Sequence, residues 1–135
     1  MNLANVMDEV KTQLATISGL NCFAYPPESI HPPAAIVSYP ESYDFDNTYA
    51  RGMDQVDLPV FIVVGRTTDG LSTRDTLAKY CDGSGAESVK QVLEAGTYTA
   101  FDSMRVMSVE FDVIDIGGNN YWAAMFRVDI VGSGA

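Results

Sequence analysis

The feature that most constrains this chain is the stretch from Arg105 to Val131, two long arms rich in β-branched and aromatic residues around a glycine–asparagine link. In the second arm Trp122, Ala124, Phe126, Val128 and Ile130 fall at even positions, with Arg127 and Asp129 between them. A period of two gives a strand with one dry and one wetter face. In the first arm Met107, Val109, Phe111 and Val113 share a face, after which the apolar phase slips to Ile114 and Ile116. One extra residue switches the face of a strand, so a β-bulge is expected near Val113. Gly117, Gly118, Asn119 and Asn120 supply the turn chemistry that joins two strands. A β-hairpin of this length needs the rest of the chain to pack on it or pair with it.

Upstream, Leu3, Val6, Met7, Val10, Leu14 and Ile17 recur at three- and four-residue steps, which predicts an amphipathic helix. Asn2 is placed to cap it and Ser18-Gly19 to stop it, with Asp8, Glu9, Lys11 and Gln13 toward water. Asn21 to Tyr25 reads as a short strand. Pro26-Pro27 and Pro32-Pro33 then bracket a rigid, extended connector. Ala34 to Tyr39 is a second strand, and Asp54 to Gly65 a third, with Val56, Leu58, Val60, Ile62 and Val64 on one face. Pro59 has no N–H, so the third strand is expected at an edge or with a bulge there. Thr67 to Asp82 reads as a helix capped by Ser72 or Thr73. Gly83-Ser84-Gly85 breaks it, and Ala86 to Ala95 reads as a second short helix. The order implies a single α+β domain over residues 1–135, with about five mostly antiparallel strands and helices on one face.

Pro40 to Gly52, between the second and third strands, has neither helical nor strand period. It nevertheless carries Tyr43, Phe45 and Tyr49 among Glu41, Asp44, Asp46 and Arg51. A connection this long without structure of its own is usually functional or disordered. Two readings fit: a flap folded onto its own domain, or an arm docking on a neighbouring subunit. The arm is the reading adopted here, with Tyr43, Phe45, Tyr49 and Arg51 as its contacts.

Composition narrows the chemistry. Eight Lys and Arg against 18 Asp and Glu give a net charge of −10. Nucleic-acid backbones are bound by clustered cations, and the chain has no such cluster. No apolar run approaches the length that crosses a bilayer, and no signal peptide is visible at the start. Cys22 and Cys81 have neither metal nor redox spacing and are expected to be reduced and buried. The single His31 lies between prolines, without the neighbours a catalytic triad needs. Asp44-Phe45-Asp46-Asn47 matches only the opening of a calcium loop, and no P-loop or nucleophile elbow is present. No catalytic residue, metal ligand or cofactor site is therefore assigned. A small enzyme built on acidic residues stays open only if a pocket holds carboxylates of shifted ionisation.

Four stretches, in order, carry a resemblance. They are the helix Asn2–Ile17; Tyr25-Pro26-Pro27 through His31-Pro32-Pro33-Ala34-Ala35; the strand Val56 to Gly65; and Tyr80-Cys81-Asp82-Gly83-Ser84-Gly85-Ala86-Glu87-Ser88-Val89-Lys90. Together with the final hairpin, the chain resembles the tail terminator proteins of long-tailed bacteriophages, in particular the small type of actinobacterial phages. The resemblance implies a similar α+β domain assembled as a homo-hexameric ring in the virion, after synthesis in the host cytoplasm. Such a ring sits on the head-proximal end of the tail tube, stops tube polymerisation and joins the head connector. The implied partners are the tail tube protein and the neck connector, with DNA passing through the lumen and no cofactor or catalysis. On this view Tyr43, Phe45, Tyr49 and Arg51 make the inter-subunit contacts. Gly117, Gly118, Asn119 and Asn120 are either a plain solvent-exposed tip or a contact to a neighbouring ring. A head-side stopper or connector, or a tail-tube subunit, is the alternative within the same particle.

Overall fold

A computed structural model of the chain describes residues 2–17, 19–24, 33–40, 42–45, 53–66, 70–85 and 87–133. It is an α+β fold with one six-stranded sheet and three helices packed against it. In chain order the elements are α1 (Leu3–Leu14), β1 (Asn21–Phe23), β2 (Ala34–Val37), β3 (Tyr43–Asp44), β4 (Met53–Arg66), α2 (Gly70–Tyr80), α3 (Val89–Glu94), β5 (Ser103–Ile116) and β6 (Asn119–Ser133). The sheet order is β1-β2-β4-β6-β5, with β3 also on β4. All pairings are antiparallel except β1 with β2.

The core lies between the helices and the face of the sheet carrying the even positions of β4 and β6. Val56, Leu58, Val60 and Ile62 meet Ala124, Phe126, Val128 and Ile130 there. Val6, Val10, Leu14, Tyr80, Val89 and Leu93 close over them from the helices. A smaller apolar cluster occupies the opposite face, where Ala34, Ile36, Val63, Tyr121 and Ala123 are buried.

Several sequence expectations shift in detail. The bulge in β5 falls at Met107, where the register steps from Val106 to Ser108; from Ser108 to Ile116 the pairing with β6 runs unbroken, with no bulge near Val113. Val106 and Val109 therefore both face the core, and Ile114 and Ile116 pass to the other side with Tyr121. The turn is two residues, Gly117-Gly118, both at positive φ (62° and 84°), the type I′ geometry that matches strand twist. Asn119 and Asn120 already belong to β6, opposite Ile116 and Asp115.

β4 is central rather than an edge, and its register shift lies between Val63 and Gly65. The Pro59 carbonyl accepts from the Ser38 amide, so the proline nitrogen faces the same side, where β2 ends before β3 begins. The missing N–H thus falls in a gap between strands. Helix α2 begins at Gly70, so Ser72 and Thr73 lie inside it rather than capping it.

Helix α1 ends at Leu14, short of Ile17, although Ile17 is still buried. The Asn2 side chain does cap it, accepting from the Asn5 amide at 3.1 Å. Two of its expected water-facing residues instead hold the segment after α3. The Gln13 amide donates to the Val92 carbonyl at 2.8 Å. Glu9 accepts from the Thr99 amide (2.9 Å), the Thr99 hydroxyl (2.7 Å) and the Ala100 amide (2.7 Å). Burial pushes the Glu9 pKa up, but these three bonds outweigh it and leave the pKa below its ordinary value.

A depressed carboxylate pKa contributes stability that is complete above the unfolded value, about 4.3, and is lost as pH falls through the folded value. Glu9→Gln replaces one acceptor oxygen with a donor. It is expected to lower the urea-unfolding free energy at pH 7 by about 1–2 kcal/mol. It should also flatten the loss of stability seen in the parent chain below about pH 4.

Candidate functional site

Of the four predicted arm residues, Tyr43 and Phe45 are described; Tyr49 and Arg51 lie outside the described residues, as do His31 and the proline connector 25–32. The segment has more structure than its sequence pattern suggests, because Tyr43-Asp44 forms a two-residue strand against Gln55 and Val56. Tyr43 is tied to its own domain. Its hydroxyl donates to Asp54 Oδ2 at 2.7 Å, and Asp54 is almost wholly buried. Burial, together with the hydrogen bond to Asp54 and that group's charge, pushes the Tyr43 pKa up to about 12. Phe45 is different. Its ring stands 4.7 Å from the Tyr43 ring at 43° and is 75% exposed. The structure thus divides the aromatic pair: Tyr43 is the anchor and Phe45 the free surface.

A second apolar surface was not singled out in the sequence. Fourteen residues of β5 extend about 46 Å, whereas the twelve residues of α1 span about 18 Å. Of the other helices, α2 has eleven residues and α3 only six. The turn-proximal half of the β5–β6 hairpin overhangs this layer. Phe111 stands opposite Ala124, and Val113 opposite Trp122. They are on the core-facing side by alternation, yet Phe111 is 57% exposed, and Val113 and Trp122 39% each. Met107, put outside by the bulge, is exposed as well. The signal was present in the sequence: the apolar face of the hairpin is longer than any helix available to cover it.

The Asp82–Val89 stretch is a tied connection between helices. Gly85 adopts φ 116°, its amide donates to Gln91 Oε1 at 2.8 Å, and the buried Ser88 caps α3 while its hydroxyl donates to the Asp82 carbonyl. These residues have a structural account independent of any ligand.

A hollow of about 420 Å³ borders the connection between α2 and α3 at Lys79, Asp82, Ser84 and Glu87, and one of about 330 Å³, where β2 gives way to β3, is lined by Tyr39, Asp57, Pro59, Phe61, Met125 and Arg127 among others. None of the groups with a displaced ionisation lines either. Cys22 and Cys81 are free thiols pushed up to about 11 by burial, Tyr98 is pushed up to about 12 chiefly by burial, and Glu94 is held down first by its bond with Lys90. Among the described residues no three His, Cys, Asp or Glu side chains converge as a metal site, and no helix is long and apolar enough to cross a membrane. No protein-family model matches the chain, and no curated protein sequence matches it.

The division between Tyr43 and Phe45 is open to measurement. Tyr43→Phe leaves Asp54 buried without that donor and should cost about 1–3 kcal/mol in urea unfolding. Phe45→Ala should stay within about 0.5 kcal/mol of the parent.

Proposed function

We propose that this chain is a structural subunit of a long-tailed bacteriophage, the tail terminator whose ring caps the head-proximal end of the tail tube. The observation that carries the reading is the placement of large exposed apolar side chains. They sit on the β3 turn at Phe45 and on the overhanging hairpin at Phe111 and Trp122. Aromatic anchors of this kind bury about 150–250 Å² each and dominate the energetics of protein contacts. Two such surfaces at different places on one subunit suit a subunit that meets more than one neighbour, and a heterologous contact made through the Phe45 surface closes into a ring when its rotation fits. In this reading Phe45 and the following Tyr49 and Arg51 make the subunit contact. The exposed Gly117-Gly118 tip reaches toward the tube or the neighbouring ring. The net charge of −10 suits a lumen that DNA crosses without adhering. The resemblance of the four ordered stretches supports the same assignment, and the α+β architecture agrees with it.

Immunogold labelling of particles of the phage that encodes the chain tests this reading. A single patch at the head–tail junction, retained on isolated tails, is expected. Label along the whole tail would instead make the chain a tube subunit, and label that stays with tailless heads a head-side connector. Absence of label from intact and opened particles would overturn the virion role.

A further inference from the structure

The outer edge of β5 stands apart from every other edge of the sheet. Among the described residues β5 pairs with β6 alone, so one side of a fourteen-residue strand has no strand partner. The pairing of Ile116 with Asn119 across the two-residue turn fixes which backbone groups face outward. Counting back from it, the N–H and C=O groups of Asp115, Val113, Phe111 and Val109 point away from β6. The Val113 amide confirms the count, since it donates to its neighbour's Asp112 Oδ1 at 2.7 Å rather than to β6. Nearer the helices the same edge is occupied, because the Val106 amide donates to Glu94 Oε2 at 3.0 Å. From Ser108 to Ile116 there is no proline, no lysine and no bulge, and the charges on this edge, Glu110, Asp112 and Asp115, are all acidic.

The two faces beside this open edge differ in chemistry. On the core-facing side lie Val109, Phe111 and Val113, followed by Asp115; on the other lie Glu110 and Asp112, followed by Ile114. We infer that the edge from Val109 to Asp115 receives an extended strand from a different protein, in which apolar residues alternate with lysine or arginine. The incoming apolar side chains would continue the Phe111–Val113–Trp122 surface. The cations would meet Glu110 and Asp112, and the incoming carbonyl would take the Val113 amide from Asp112. Glu110 pairs with the exposed Arg127 at 3.6 Å, and the Asp115 carboxylate accepts from the Gly118 amide at 3.1 Å.

A second copy of this chain fits poorly. The other edge strands among the described residues are β1, of three residues, and β3, of two. Two β5 edges pairing antiparallel about Phe111 would set Glu110 against Asp112 twice, and like charges directly opposite destabilise a strand pair; pairing about Val113 would instead set Phe111 against Asp115 and Asp112 against Ile114. The inference concerns an edge that the proposed ring contact at Phe45 does not use, and it stands whether or not the chain caps a tail tube.

Amide exchange followed by NMR on the full chain tests it, at low salt, with a peptide of about eight residues alternating valine and lysine and with its valine–glutamate counterpart. The lysine peptide should slow exchange at Val109, Phe111, Val113 and Asp115. The alternate amides of Glu110, Asp112 and Ile114, already bonded to β6, should be unaffected. Val113→Pro removes an outward N–H without touching the β6 ladder and should weaken the peptide at least about tenfold. Should that variant lose its core protection, Glu110→Lys with Asp112→Lys provides the independent check, because it should reverse the preference toward the glutamate peptide. Equal response to both peptides, or none to either, overturns the proposal. Protection of the same amides that rises with protein concentration in the absence of peptide also overturns it, by showing that a second copy fills the edge.

Discussion

The pairing of β4 with β6 is the interaction on which everything else rests. It runs from Met53 opposite Ser133 to Arg66 opposite Tyr121, with a single slip at Val64. Every other strand joins the sheet through one of these two or, for β1, through β2. β2 and β3 divide the outer side of β4, β5 takes the outer side of β6, and the helices close over their shared even face. Val56, Leu58, Val60 and Ile62, with Val128 and Ile130, are wholly or almost wholly buried, so this ladder is hydrogen-bonded and desolvated together. The helix layer is held in turn by side chains that satisfy loop backbone, Glu9 on Thr99 and Ala100 and Gln13 on Val92.

A mismatch in length follows from that arrangement. Strands of fourteen and fifteen residues reach well past helices of twelve, eleven and six. The core-facing side of the hairpin is dry where α3 and α2 lie over it and uncovered beyond them, so one continuous face changes role along its length. Val109 is packed against the core, whereas Phe111, two residues on, is mostly exposed. The same contrast appears at the β3 turn, where Tyr43 belongs to the domain and neighbouring Phe45 does not.

Periodicity made the long elements legible. The hairpin, β4 and α1 are long enough for several turns of their pattern to accumulate, and the α+β class follows from their order. What escaped was set by fit rather than pattern. β3 spans two residues, too few for any period, and exists because Val56 and Gln55 present an open side to it. Both readings of the β5 phase slip require one irregularity. Its position at Met107 depends on how Val106 and Val109 are seated against Val128 and Phe126, which is not visible along one strand. Tyr43 looked free because its partner, Asp54, is a charged residue whose burial nothing in the local sequence announces. The exposure of Phe111 and Trp122 could have been read by comparing element lengths, but not from composition.

The separation of the two central strands in the chain has a consequence for biosynthesis. β4 ends at Arg66 and β6 begins at Asn119, with two helices and β5 between them. On the ribosome β4 emerges well before the strand that completes it. Its run Val60-Phe61-Ile62-Val63-Val64, apolar on both faces, is then a β-prone segment with no ladder on one side. The flanking Asp54, Asp57 and Arg66, the proline at 59 and the excess of acidic residues act as gatekeepers during that interval. The hairpin, closed by a two-residue turn, is the local unit that forms fast, so the sheet is finished by a late docking of a preformed ribbon onto a waiting strand.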